Sequence, residues 1–413
     1  MARSVAVVGL GRIGLPLALS FADHGCRVIG VDREPAVLDR IRSGQMPFME
    51  AGTQELLERV LAADGLELTQ QIQDASAADY IVLTLGTPTL AQVEIDLSQI
   101  RQAVDDLLPV LRSGQTIILR STVGPGTTDW LAGYLQQTRG FEIGRELFVA
   151  HVPERIAVNH FLEEIEALPT IVGGVGEQST AKASELFDVF GIEIERTTPV
   201  QAELAKIWTN ILRYAQFALP NLLMMQCEQH GANVFEVIDL INREYPRGGM
   251  AMPGLTAGTC LRKDFVFSEE RSPAPGMLMA VSRVHETVPN FLVEGVKRRM
   301  GGTLSNKKVT VLGLTFKRDT DDPRDSLSFK VIRLLERELC NVARHDPYLP
   351  DQSDPLEEAL SGAEAVIVAT NHSAYDDILA KLAPQTLLCD PWNVSGAGQV
   401  FAFTDELVPA HTS

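Results

Sequence analysis

Short apolar runs recur along the first half of the chain, with stretches of helical spacing between them. Val5 to Val8 reads as a strand and the segment from Ile13 as a helix. Arg27 to Val31 is the next strand and ends at Asp32. Tyr80 to Leu85, Thr116 to Leu119, Leu147 to Ala150, Thr170 to Val172 and Ile192 to Ile194 continue the pattern. Strands that alternate with helices in this way predict a parallel sheet covered on both faces.

Near Pro199 the texture changes. From Glu203 to Gln229 apolar residues recur at helical spacing, punctuated only by Pro220. This predicts a long helix, kinked or interrupted near Pro220, with further helices to about Met300. Gly301 to Lys308 reads as a linker. The strand and helix alternation then restarts: Val309 to Leu312, a helix over Ser326 to Glu338, then Val342 to His345, Ala365 to Ala369 and Leu387 to Cys389. The expectation is an α/β protein with two Rossmann-like, doubly wound domains (1–198 and 301–413). A helical middle domain (199–300) built on a long central helix joins them.

A formal net charge of −18 argues against a broad nucleic-acid surface, which needs a basic face. It leaves room for a small basic pocket that takes one phosphorylated ligand. The cysteines are Cys26, Cys227, Cys260, Cys340 and Cys389, an odd number with no two close in sequence. That fits neither a disulfide framework nor a metal-ligand spacing, so reduced thiols in a cytoplasmic protein are expected, with no metal. The start of the chain has a basic residue followed by apolar ones. Arg12 and three glycines interrupt it, which argues against a signal peptide. No uninterrupted apolar run approaches the roughly 18 residues of a membrane span.

Candidate chemistry begins at Gly9-x-Gly11-x-x-Gly14, directly after a strand and opening a helix. Glycines there permit a tight turn and close backbone approach, and the helix N-terminus faces a pyrophosphate. Asp32 ends the next strand, where a carboxylate bonds ribose hydroxyls and favours NAD over NADP; Arg33 beside it tempers that preference. Cys260 follows a glycine-rich turn, Gly254 to Gly258. At a helix start its thiolate would be favoured, with Asp264 one turn on. Lys206 and Asn210 share one face of the long helix among apolar neighbours. Ser121-Thr122-Val123 and Pro153-Glu154-Arg155 each follow a strand, where ligands gather in open sheets. Thr122 is placed to hold a water or a nicotinamide carboxamide, and Glu154 to act as a general base. Phe316 to Arg324 mixes bases and acids at the same kind of position in the last domain.

These motifs, with Gly86-Thr87-Pro88, Glu203-Leu204-x-Lys206-x-x-x-Asn210, Gly258-Thr259-Cys260-Leu261-x-Lys263-Asp264 and Gly313-Leu314-x-Phe316-Lys317-x-Asp319-Thr320-Asp321-Asp322-x-Arg324, resemble the UDP-glucose/GDP-mannose dehydrogenase family. The resemblance runs from Val5 to about Asn393. It implies a four-electron, NAD-dependent oxidation of a nucleotide-sugar C6 alcohol to a uronic acid through a thioester. Cys260 would be the nucleophile, and Lys206 and Asn210 would stabilise the oxyanion. Asp264 would orient or deprotonate a water shared with Thr122, and Glu154 would be the base for thioester hydrolysis. The implied cofactor contacts are Gly9, Gly11, Ile13, Gly14, Asp32, Arg33, Thr87, Ser121, Thr122 and Lys263. The implied substrate contacts are Arg155, Lys206, Asn210, Arg247, Gly254, Gly258, Phe316, Lys317 and Arg324. A homodimer through the central helix is implied, with Arg247 reaching the neighbour's site.

Three features depart from the family pattern. Ala257 stands where a glycine is common, the loop after Arg155 lacks a glycine, and Asp390-Pro391-Trp392-Asn393 replaces a segment that often holds an arginine. Glu154-Arg155 and the short spacing from Pro246-Arg247 to Pro253-Gly254 resemble the N-acetylhexosamine branch. The run from Cys260 to Asp264 is similar to the UDP-glucose and GDP-mannose branches. The resemblance therefore points first to a UDP-N-acetylhexosamine (UDP-GlcNAc or UDP-ManNAc) in polysaccharide biosynthesis, then to UDP-glucose or GDP-mannose. A two-electron β-hydroxyacid dehydrogenase would need neither Cys260 nor the last domain. A non-catalytic NAD-binding descendant should have lost one of Lys206, Asn210, Cys260 and Asp264, and all four are present.

Overall fold

The computed structural model describes residues 3–88, 96–256, 258–269 and 272–407. Contacts divide the chain into two compact bodies: Met1–Thr209 with Lys263–Ser272, and Asn210–Arg262 with Pro273–Ser413. The helical residues between the two sheets are thus shared out. The long helix Pro199–His230 is crossed by the division after Thr209, and the helix Thr259–Glu269 after Arg262. Pro220 lies inside the long helix, which continues past it.

The first body holds strands β1 (Ser4–Val8), β2 (Arg27–Val31), β3 (Leu66–Thr69), β4 (Tyr80–Leu83), β5 (Thr116–Leu119), β6 (Phe148–His151), β7 (Thr170–Gly174) and β8 (Ile194–Thr197). Their order is β3-β2-β1-β4-β5-β6-β7-β8. Alternate side chains of β1 enter different cores. Val5 and Val7 pack with Leu15, Leu19 and Phe21 on one face, while Ala6 and Val8 pack with Ile100, Val104 and Leu131 on the other. That two-sided burial is why the core strands read as unbroken apolar runs. Each large apolar side chain so buried contributes about 2 kcal/mol.

One pairing differs from the expected parallel sheet: β6 and β7 run antiparallel. The segment between them holds only the five-residue helix Phe161–Ile165. A parallel neighbour needs a full crossover, so here the chain doubles back instead. β3 was not foreseen because it is a short edge strand, with one buried residue and charge in its middle.

The second body holds β9 (Lys308–Leu312), β10 (Asn341–His345), β11 (Ala365–Val368), β12 (Leu387–Cys389) and β13 (Phe401–Phe403), in the order β10-β9-β11-β12-β13. All pairs are parallel except the last. Two cores again flank the sheet. The helix Met277–Arg299 is tied to the long helix through His285, whose Nε2 lies 2.8 Å from the Tyr214 carbonyl and whose ring stacks on Tyr214. Among the described residues no helix is long and apolar enough to cross a membrane.

Two buried histidines set a pH limit. Burial pushes His285 down from 6.5 to about 4 and His151 down to about 3. The unfolded chain therefore binds protons that the folded one refuses. The stability they contribute is whole above pH 6.5 and is lost as pH falls toward 4. Between pH 6.5 and 5, above the ordinary carboxylate range, each costs about 2 kcal/mol. Urea unfolding midpoints should fall over that interval, and His285→Gln should flatten the fall. An unchanged slope in that variant would contradict the assignment.

Candidate functional site

The order of the first sheet reverses at β1, and the loops after β1 and β4 open a crevice there. Gly9 follows β1 with φ of +96°. Gly14 opens the helix Gly14–Asp23, and a β-carbon on it would lie 1.8 Å from the Gly9 carbonyl oxygen. Gly11 is exposed and faces open space. No side chain caps the helix start at Ile13. The turn is thus a bare backbone cradle at a positive helix end, which fits a pyrophosphate. Asp32 is half-buried and accepts the Leu10 and Glu34 amides at 2.7 and 2.9 Å, so its carboxylate is fixed at the end of β2. Arg33 is exposed and turns toward Glu34 at 3.5 Å.

The second sheet repeats this turn. Gly313 follows β9 with φ of +89°, and Leu314 donates to Asp346 at 2.6 Å. There the carboxylate is fully buried and also meets His372 Nε2 at 3.1 Å. It is closed to a ribose, so the crevice suited to a dinucleotide is the one in the first body.

Four more expected cofactor residues come together at the ends of β4 and β5. Lys263 Nζ donates to the Thr87 carbonyl at 2.9 Å and to its hydroxyl at 2.8 Å. Thr87 donates in turn to the Thr122 carbonyl at 2.9 Å, and Ser121 to the Leu85 carbonyl at 2.7 Å. Asp264 is buried, 3.8 Å from Lys263 Nζ. Glu203 anchors the long helix here. It accepts the Gly126 and Thr128 amides at 2.7 and 2.8 Å and the Thr128 hydroxyl at 2.6 Å. Burial pushes its carboxyl up despite those bonds. This tie holds the turn that carries Lys206 against the loop after Thr122.

Glu154 sits differently from what a free base requires. One of its oxygens takes a hydrogen bond from Arg120, and the other accepts the Ile156 amide at 2.7 Å. Both side chains of the pair are buried, and Arg120 also lies over the Phe187 ring. Arg155 points to the Pro169 carbonyl. Lys206 is half-buried, and together with Arg120 it adds to the burial that keeps His151 neutral. Arg120 was missed in the sequence. Its signal was a cation one residue past β5 and an acid three residues past the paired strand β6.

The second body brings together the remaining set. Asn221, fully buried on the long helix, clamps Gly254 by two hydrogen bonds of 2.8 and 2.9 Å to its amide and carbonyl. Gly254 lies so close to Trp392 that a β-carbon would come within 2.4 Å of the ring. Gly258, with φ of +98°, lies as tightly on Phe316. Trp392 donates its indole N–H to the Ala369 carbonyl at 3.1 Å, at the end of β11. Cys260 is exposed in the first turn of the helix Thr259–Glu269, and Asn210 is buried. Arg324 grips Asp322, and Lys317 is half-buried beside Phe316. Arg247 stands apart: it is exposed, and its hydrogen bond runs to Tyr245. Ala257, noted as a departure, falls outside the described residues.

The chain matches family models along most of its length. Residues 3–191 match the NAD binding domain, 200–288 the central domain and 310–397 the UDP binding domain of the UDP-glucose/GDP-mannose dehydrogenase family. It is 32% identical over 380 residues to a UDP-N-acetyl-D-mannosamine dehydrogenase of Pyrococcus horikoshii, covering 91% of this chain and 90% of that one. It is 29% identical to an NDP-N-acetyl-D-galactosaminuronic acid dehydrogenase of Ralstonia solanacearum, covering 90% and 92%. A solved UDP-D-ManNAc dehydrogenase from Pyrococcus horikoshii superposes with a TM-score of 0.88 at 30% identity, over 95% of this chain and 96% of that one.

The Arg120–Glu154 pair gives a direct test. Glu154→Gln should strand a buried guanidinium and cost about 3–5 kcal/mol in urea unfolding. Arg120→Met with Glu154→Met together should recover most of that loss. If Glu154→Gln leaves stability intact, the pair is not a structural tie.

Proposed function

The chain belongs to the UDP-glucose/GDP-mannose dehydrogenase family, and from that premise we propose that it oxidises the C6 alcohol of a UDP-N-acetylhexosamine to the carboxylate, through a thioester on Cys260. The observation that carries this reading is the exposed Cys260 thiol, in the first turn of a helix whose next turn bears Lys263 and Asp264. The N-acetylated hexose follows from the relatives: the mannosamine and galactosaminuronic acid enzymes share that group and differ in sugar configuration.

NAD is the cofactor, held by Gly9, Gly11, Gly14, Asp32 and Thr87, and when bound it accepts the hydrides. Lys206 and Asn210 present N–H groups to the developing oxyanion, where fixed donors away from water act most strongly. Asp264 and Thr122 hold the water that takes the alcohol proton. The Cys260 thiolate attacks the resulting aldehyde carbon and forms the thiohemiacetal, which is oxidised to the thioester. Water then cleaves the carbon–sulfur bond, giving the carboxylate and the free thiol. Both oxygens of Glu154 already accept hydrogen bonds, which favours a bracing role with Arg120. Asp264 then activates the hydrolytic water as well. Phe316, Lys317, Gly254 and Gly258 form the wall for the nucleotide sugar.

We also propose a homodimer through the long helix. Leu204, Trp208 and Leu212 are exposed at four-residue intervals, with Leu219 and Leu222 beyond them. Exposed Arg247 is then available to a neighbouring subunit. The five cysteines are thiols rather than disulfides, which supports a cytoplasmic setting.

The test is NADH yield per sugar across UDP-N-acetylmannosamine, UDP-N-acetylgalactosamine, UDP-N-acetylglucosamine, UDP-glucose and GDP-mannose. Two NADH per sugar are expected with an N-acetylhexosamine, and Cys260→Ser should lose that stoichiometry. One NADH per sugar would reduce the thiol to a packing residue, and two from UDP-glucose alone would overturn the substrate assignment.

A further inference from the structure

The loop after Arg155 contains no glycine before the helix Phe161–Ile165, yet it turns through the left-handed region. Asn159 has φ of +71° there, a conformation that asparagine tolerates better than most residues with a β-carbon. Its side chain holds a second segment of the first body: Asn159 Oδ1 accepts the Ala51 amide at 3.0 Å. Beside it, Glu50 is buried and accepts the Asn159 and Phe161 amides, both at 2.9 Å. Glu50 is fixed in turn, because its carbonyl accepts the Thr53 hydroxyl at 2.7 Å at the start of the helix Thr53–Ala62. Gly52 completes the contact: a β-carbon on it would lie 3.1 Å from Leu162.

Other amides of the loop are held in the same way. Glu154 accepts the Ile156 amide and Glu164 the Ala157 amide, each at 2.7 Å. A loop that joins no strand ladder still has to pair its amides, and here carboxylates from three places do it. Glu154 and Glu164 are local to the loop. Glu50 is 109 residues from Asn159, so with Ala51 it ties the loop to a separate segment. That segment borders the dinucleotide turn, since the Arg12 guanidinium lies over the Phe48 ring at 5.2 Å. The loop itself leaves the carboxyl end of β6, beside the end of β5 that leads to Ser121 and Thr122, where ligands gather in open sheets.

We propose that Glu50 and Asn159 are positioning residues: they latch the loop 155–160 in the one shape that receives the hexose of the nucleotide sugar. This rests on the reading of the chain as a nucleotide-sugar dehydrogenase. A loop ordered in advance loses less conformational freedom when the sugar arrives, so the latch strengthens sugar binding without a contact of its own. Both oxygens of Glu50 accept loop amides, so it acts through the loop. A glycine at position 159 would adopt the same φ and lose the tie to Ala51. The asparagine therefore supplies both the turn and the fastening.

Amide hydrogen exchange followed by mass spectrometry tests this without turnover. The peptide spanning 155–161 is monitored while UDP-N-acetylmannosamine is titrated in the absence of NAD, with UDP-glucose run in parallel. In the wild type one of these sugars should slow its exchange. Asn159→Gly should speed exchange in the free protein and raise the half-protecting sugar concentration about fivefold, as for one lost hydrogen bond. Asn159→Ala should raise it further, because alanine is strained at that φ. Glu50→Gln keeps one acceptor oxygen and should fall between the wild type and Glu50→Ala. The NAD concentration that half-protects residues 9–14, measured separately, should hold throughout. Should Glu50→Ala fail to fold, Asn159→Gly decides alone, since glycine keeps the turn. Faster exchange with unmoved sugar affinity overturns the proposal and leaves a structural brace. So does a loop that neither sugar protects in the wild type, or a loss of NAD and sugar affinity in equal measure. Binding is read here with no NADH formed, so this outcome is separate from the yield that tests the thioester route.

Discussion

A close approach that only glycine permits governs the thiol's surroundings. Gly258 lies on Phe316 and Gly254 on Trp392 at distances no side chain would tolerate. The two aromatic rings belong to loops at the carboxyl ends of β9 and β12, so Gly254 and Gly258 are laid directly onto the edge of the second sheet where ligands gather in open sheets. Asn221 holds the Gly254 backbone from the other side, and His285 joins that asparagine to the helix Met277–Arg299. The Cys260 thiol therefore follows a segment that is placed by packing and backbone hydrogen bonds.

The first body solves a different problem with similar means. Its glycine turn leaves a bare helix end and a carboxylate at the next strand, while Glu203 ties the long helix to the loop after β5. The second sheet copies the turn but buries its aspartate against His372, which converts the same local device from a ligand site into structure. The fold is used twice, and the difference between the copies is one of burial.

The core strands were legible because burial on both faces demands unbroken apolar runs. β3 and β13 were not: β3 is a short edge strand with a charge in its middle, and β13 has only three residues, too few to show a period. The direction of β7 depends on what links it to β6, and no strand pattern encodes that. Gly9, Gly14 and Asp32 could be read from the chain because that turn is local. Arg120 and Glu154 meet only through the pairing of β5 with β6, so their bond was invisible before the sheet was known. Arg324 was noticed for its charge, yet its orientation depends on Asp322 being buried.

The central claim is a covalent intermediate on Cys260, and acid quenching of a single turnover with the preferred nucleotide sugar tests it most directly. Peptide mass mapping over a time course spanning NADH release should find the sugar nucleotide bound through Cys260 and decaying as the acid forms. A time course that captures NADH release and product with no adduct at Cys260, or with the adduct on another residue, would contradict the account.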